Sequence, residues 1–140
     1  MSKRLMDPSN MPVSDEYLSI TQGPGDYALV VARLFKPYAE QIHRLDHAII
    51  GIVGEAGELV DETKQLTIYD KDLNLDKVKI ELGDMMFYMQ ALMNEFNISW
   101  QELMALNVAK LSARYHKLYY SNEQALERAD GEAKGAGNAE

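Results

Sequence analysis

A chain of 140 residues, 46% of them hydrophobic, is long enough for one domain with a real core. The absence of cysteine excludes a disulfide framework, zinc–thiolate sites and a cysteine nucleophile. A net charge of -8 argues against binding nucleic-acid polymers, which need a basic surface. It leaves room for small phosphorylated ligands, because a bound cation can invert the local field.

In chain order, the opening MSKRLMDPSNMPVSDEY is polar and carries Pro8 and Pro12, unlike a signal peptide. No apolar run approaches the ~18 residues needed to span a bilayer. The expectation is a soluble cytoplasmic protein with no membrane partner. Residues 1–13 read as a loosely ordered terminus, and Gly23, Pro24 and Gly25 mark a break. Residues 26–36 predict a helix capped by Asp26 and stopped before Pro37. From 38 to 66 the periodicity predicts a long helix, with the region of His43 a candidate interruption.

TIYDKDLNLD, residues 67–76, reads as a polar connection. Residues 76–96 carry the strongest helical pattern, with Asp76 as the expected N-cap. A last helix is expected over 99–116, with Ser99 as N-cap and Glu102 at the capping-box position. Residues 121–140, Gly-rich beyond Arg128, read as a polar, flexible tail. With no hairpin signal and no repeat, the expected fold is all-α: a single domain over 1–120, built as a bundle of about four or five helices.

Two acidic pairs stand out. GIVGEAGELVDETK, residues 51–64, begins as apolar helix yet carries Glu55, Glu58 and Glu62. At about 100° per residue these three fall within an arc of roughly 60°. Stacked like charges raise one another's pKa and cost stability, so something should compensate them. Glu81 and Asp84 repeat the i, i+3 spacing among Val78, Ile80, Leu82, Met85, Met86, Phe87 and Met89. Helices joined by a short connection usually pack antiparallel, which would gather Glu55, Glu58, Glu81 and Asp84 into one cleft. With only oxygen ligands on offer, Mg²⁺ or Mn²⁺ suits them best. An isolated pair of this kind is more often a solvated face; two pairs on adjacent apolar helices shift the balance. Glu62 either reaches the same cleft or pairs with a surface lysine.

In WQELMALNVAKLSARY, residues 100–115, Asn107, Lys110 and Arg114 share a helical stripe suited to an oligophosphate. The plain alternative is a solvent-exposed basic face. His43 and His47 lack the spacing of a helical zinc motif and read as satisfied or exposed histidines. Trp100, Tyr69, Phe87 and Tyr88 could stack a base, with core packing the default for Phe87 and Tyr88. The methionines at 85, 86 and 89 read as gap fillers in a core or subunit interface.

GEAGELVDETK, IELGDMMFYMQAL and NVAKLSARY together resemble, in order, the sequence blocks of the MazG-type all-α nucleoside triphosphate pyrophosphohydrolases. That superfamily also includes dimeric dUTPases and dCTP pyrophosphatases. The resemblance spans about residues 45–117. It implies Mg²⁺-dependent cleavage of a (d)NTP between its α- and β-phosphates, giving a monophosphate and pyrophosphate for house-cleaning or pool control. It further implies that Glu55, Glu58, Glu81 and Asp84 hold the metal, with Glu55 and Glu58 the candidates for proton acceptor. Asn107, Lys110 and Arg114 would contact phosphate, and His43, Trp100 and Tyr115 are candidate base or sugar contacts. The family forms dimers or dimers of dimers, so a homodimer is expected.

Three other readings remain open at this level. The fold could serve a slow or inactive regulatory protein, or hydrolyse an alarmone such as ppGpp. A carboxylate-bridged di-iron bundle is disfavoured, because Asp84 and Glu58 stand where such sites want histidine.

Overall fold

The structure, a computed structural model, describes residues 15–20 and 23–128. The expectations for residues 1–13 and for the end of the tail therefore lie largely or wholly outside the described residues. Every regular element among the described residues is helical, as the periodicity predicts. Residues up to Asn97 form one compact unit and those from Ile98 a second.

In the first unit, α1 spans Asp15–Ile20, α2 Pro24–Leu34, α3 Gln41–Thr67 and α4 Leu75–Phe96. Two expected caps move. Pro24 enters the first turn of α2, where its fixed φ and missing N–H cost nothing, so Gly23 takes the N-cap and Asp26 falls inside the first turn. Asn74, not Asp76, caps α4 by accepting a hydrogen bond from the Lys77 amide; Asp76 then lies in the first turn, where its charge complements the helix dipole. α3 runs unbroken through His43 for 27 residues. At the other end of α4, Asn97 adopts the left-handed conformation that commonly ends helices.

α3 packs chiefly on α4, and α2 on α4. The fully buried cluster they share is small: Val31, Ala48 and Ala91, with Tyr27, Phe35, Phe87 and Leu92 packed around them. Small side chains at 48 and 91 let the helices approach closely and leave aromatic rings to fill the space. Much apolar surface stays outside, including Ile50 at 69% and Val53 at 67% exposure.

The second unit holds α5, Trp100–Arg114, a 3₁₀ turn over His116–Leu118, and α6, Asn122–Glu127. Ser99 caps α5 as the sequence predicts, accepting from the Glu102 amide. α6 forms within the stretch read as tail. Ser121 caps it, and the Gln124 side chain ties it back by accepting from the His116 amide.

Candidate metal centre

The antiparallel pairing of α3 and α4 keeps one register along its whole length. Glu62 meets Lys77, Glu55 lies beside Asp84, Gly51 faces Tyr88 and Arg44 pairs with Glu95. Each step back along α3 is matched by an equal step forward on α4. Residues 44, 47, 51, 55, 58 and 62 occupy one stripe of α3, as helical periodicity dictates, and the pairing with α4 turns that stripe into the seam.

At its acidic point, Glu55, Glu81 and Asp84 each bring a carboxylate oxygen within 4.8 Å of the others. Glu55 and Glu81 are half-buried and Asp84 is exposed, so the cluster opens to solvent on one side. Burial raises the pKa of Glu55 first. The charges of Asp84 and Glu81, a hydrogen bond with the Glu81 side chain, and the charge of Glu58 raise it further. That combination describes carboxylates short of positive charge. Burial and then the charge of Asp84 also raise the hydroxyl pKa of Tyr27 on α2.

Glu58 is exposed and outside the three-carboxylate group, although its charge reaches Glu55. Glu62 is 7% exposed and accepts an ion pair from Lys77 at 3.0 Å, so of its two expected fates the lysine pairing holds. Lys77 also feels Glu81 and Glu58, and its ammonium pKa is raised, first by the bond to Glu62.

Aromatic rings line the next turns of the seam. His47 stacks on Phe35 at 4.7 Å and meets the edges of Tyr38 and Tyr88 at 5.6 and 5.7 Å. Its Nδ1 is buried without a hydrogen-bond partner. His43, the histidine singled out as a base or sugar contact, is exposed and lies 3.7 Å from the Glu40 carboxylate. The importance of His47, Lys77, Arg44 and Glu95 is not visible in single motifs. For Arg44 and His47 the stripe they share with Gly51 on α3 is the one sequence signal; Lys77 and Glu95, on α4, have none.

Asn107, Lys110 and Arg114 all lie on α5 in the second unit. The first two are exposed, and Arg114 lies over the Tyr115 ring at 5.8 Å from its centroid. Trp100 opens the same helix, Tyr115 ends it, and the Tyr115 ring contacts Tyr120. Tyr69 is exposed at the end of α3.

The donor set fits a hard divalent cation. Three carboxylates converge, and oxygen-only ligation is what Mg²⁺ and its relatives take. The sequence profile of the MazG nucleotide pyrophosphohydrolase domain matches residues 45–119, more than half of the chain. The Gene 37 protein of Mycobacterium phage L5 is 34% identical over 80 residues, covering 54% of this chain and 69% of that protein. No solved structure matches significantly. The matched residues include the acidic cluster, the aromatic stretch of α4 and the basic stripe of α5. The chain belongs to the MazG nucleotide pyrophosphohydrolase domain family.

Proposed function

We propose that the chain is a Mg²⁺-dependent nucleoside triphosphate pyrophosphohydrolase, converting a (d)NTP and water to a (d)NMP and pyrophosphate. The observation that carries this reading is the convergence of Glu55, Glu81 and Asp84 at ligand spacing, in a chain of this family. When bound there, a divalent cation neutralises phosphate charge and makes water a stronger nucleophile. The chain's own residues do the rest. Glu55, Glu81 and Asp84 hold the cation, with Mn²⁺ able to replace Mg²⁺. Glu58, exposed at the rim of the cluster, serves as a further ligand or accepts the proton of the attacking water. Asn107, Lys110 and Arg114 bind the phosphates, a role their shared stripe supports.

A homodimer is part of the proposal, with a dimer of dimers as the larger assembly. On the face of α3 turned away from the carboxylates, Ile42, Ile49, Val53 and Val60 align within roughly 40°. All four are at least half exposed. An apolar stripe of that length on a long helix is a surface for another chain. The substrates place the activity in the cytoplasm, where (d)NTP pools are drawn on.

The test is pyrophosphate release from a panel of NTPs, dNTPs and ppGpp, with Mg²⁺, with EDTA and with Asp84→Asn. Mg²⁺-dependent release from a (d)NTP, lost in the variant, is the expected result. No turnover of any nucleotide by a folded, metal-binding chain would instead favour a regulatory role.

A further inference from the structure

The seam continues past the carboxylates to a second polar point. Arg44 of α3 donates from Nε to Glu95 of α4 at 2.7 Å. Its Nη1 donates to the backbone carbonyls of Tyr38 at 2.6 Å and Ala39 at 3.1 Å. Those carbonyls belong to the loop between α2 and α3. One guanidinium therefore fastens that loop to both long helices. An ion pair alone would need only the contact with Glu95. The fork to two carbonyls uses the planar, multi-donor geometry that lysine lacks.

What the loop carries is the wall of the aromatic cluster. Tyr38 stands edge-on to His47, and Lys36 lies over the Tyr38 ring at 4.6 Å from its centroid. Beneath the loop is a cavity of about 360 Å³, lined in part by Phe35, Tyr38, Arg44, Asn94 and Glu95. Along α4 it begins seven residues beyond Asp84, roughly 10 Å at 1.5 Å per residue. That is about the reach from the phosphates of a nucleotide to its base.

The two ends of the seam differ in kind. Beyond Glu58 it closes in the Glu62–Lys77 ion pair. Toward Arg44 it is backed by packed aromatic rings, with Phe35 and Tyr38 lining the cavity beside the polar Asn94. A planar, partly polar group fits the second end and not the first.

We propose that Arg44 is a positioning residue for the nucleoside end of the substrate: it holds the α2–α3 loop against α4 and so fixes the Tyr38–His47 wall. This rests on the nucleotide reading above. Arg44 touches no reacting atom, so its loss changes how tightly the nucleotide is held and leaves the chemical step alone.

The experiment compares wild type, Arg44→Lys and Glu95→Gln. It measures hydrogen exchange over residues 36–40, Mn²⁺ affinity, melting temperature, and affinity for a non-hydrolysable α,β-methylene nucleotide, together with KM and kcat. Lysine keeps a charge partner for Glu95 but cannot also hold both carbonyls. In Arg44→Lys the loop amides should exchange faster, including that of Tyr38, which donates to the Lys36 carbonyl. Analogue Kd and KM should rise about tenfold, the equivalent of about one charge-assisted hydrogen bond. The kcat should stay within about twofold, a range that corresponds to under about half a kcal/mol of barrier, and Mn²⁺ affinity should be unchanged. Glu95→Gln keeps an acceptor for Nε and leaves the bonds from Nη1 to the loop carbonyls in place, so its loop amides should exchange as in wild type. A loosened loop with unchanged analogue affinity overturns the proposal alone. So does a uniform fall in melting temperature, Mn²⁺ affinity and nucleotide affinity, which marks a purely structural role. A wild-type chain that binds Mn²⁺ but takes no nucleotide overturns the nucleotide reading, and the proposal with it.

Discussion

Gly51 of α3 and Tyr88 of α4 approach so closely that a Cβ at position 51 would overlap the tyrosine ring. This contact sits one turn from Glu55 on α3 and one turn from Asp84 on α4. It therefore sets the spacing of the helices at the carboxylates. Alanine at 51 would gain helix propensity of up to about 1 kcal/mol, yet it must push back a packed ring. Gly51→Ala should destabilise the chain by about 1–3 kcal/mol in denaturant titration and weaken Mn²⁺ binding as the carboxylates separate. Unchanged stability and metal affinity would show that Tyr88 simply rotates away.

The carboxylate cluster repels itself without a cation. In EDTA, Glu55→Gln should raise the melting temperature, because it removes a charge that burial, Asp84 and Glu81 all disfavour. In Mg²⁺ the order should reverse, since wild type gains linkage stabilisation that the variant loses. Equal melting temperatures with and without Mg²⁺ in wild type would contradict this.

Lys77 and Glu62 give a pH dependence of defined sign. The bond to Glu62 raises the Lys77 pKa above its ordinary 10.5. Its stabilising effect is therefore fully present below 10.5 and disappears as pH rises through the higher folded value. Lys77→Met should be less stable than wild type at neutral pH because it leaves Glu62 buried without a partner. The difference should shrink at the alkaline end, and Lys77→Met combined with Glu62→Gln should recover part of the loss. Melting curves from pH 7 upward through 10.5 test both points; a gap that is unchanged by the double substitution and does not begin to narrow above pH 10.5 would rule out the ion pair as its source.

The apolar stripe of α3 predicts assembly. Val53 is 67% exposed and faces away from the seam, so Val53→Glu costs a lone chain little. In a homodimer it places a charge in the apolar interface. Light scattering should show a dimer in wild type and a monomer in Val53→Glu. A monomeric wild type would remove the dimer from the account.

The helices were legible because their periodicity is long and unbroken, and Ser99 was legible because a serine before an apolar run has one obvious task. The caps at Gly23 and Asn74 were less so, since Pro24 and the competing Asp76 decide them within one or two positions. Glu55, Glu81 and Asp84 could be brought together from spacing and an antiparallel connection alone. Glu58 shared their pattern, yet the structure leaves it at the rim, because a stripe fixes direction but not the depth of each side chain. The surroundings of His47, which reads from sequence as a satisfied or exposed histidine, and of Arg44 are not legible, because their neighbours Phe35, Tyr38 and Glu95 come from other segments. Contacts across a loop and two helices have no local signature.

The most direct measurement is Mn²⁺ binding followed by the loss of the free-ion electron paramagnetic resonance signal, in wild type, Glu81→Gln and Asp84→Asn. The account predicts a saturable site in wild type that each substitution weakens by tenfold or more, on the order of 1.4 kcal/mol per ligand lost. Mn²⁺ binding that is absent from wild type, or indifferent to both substitutions, would contradict the claim that these carboxylates share a cation.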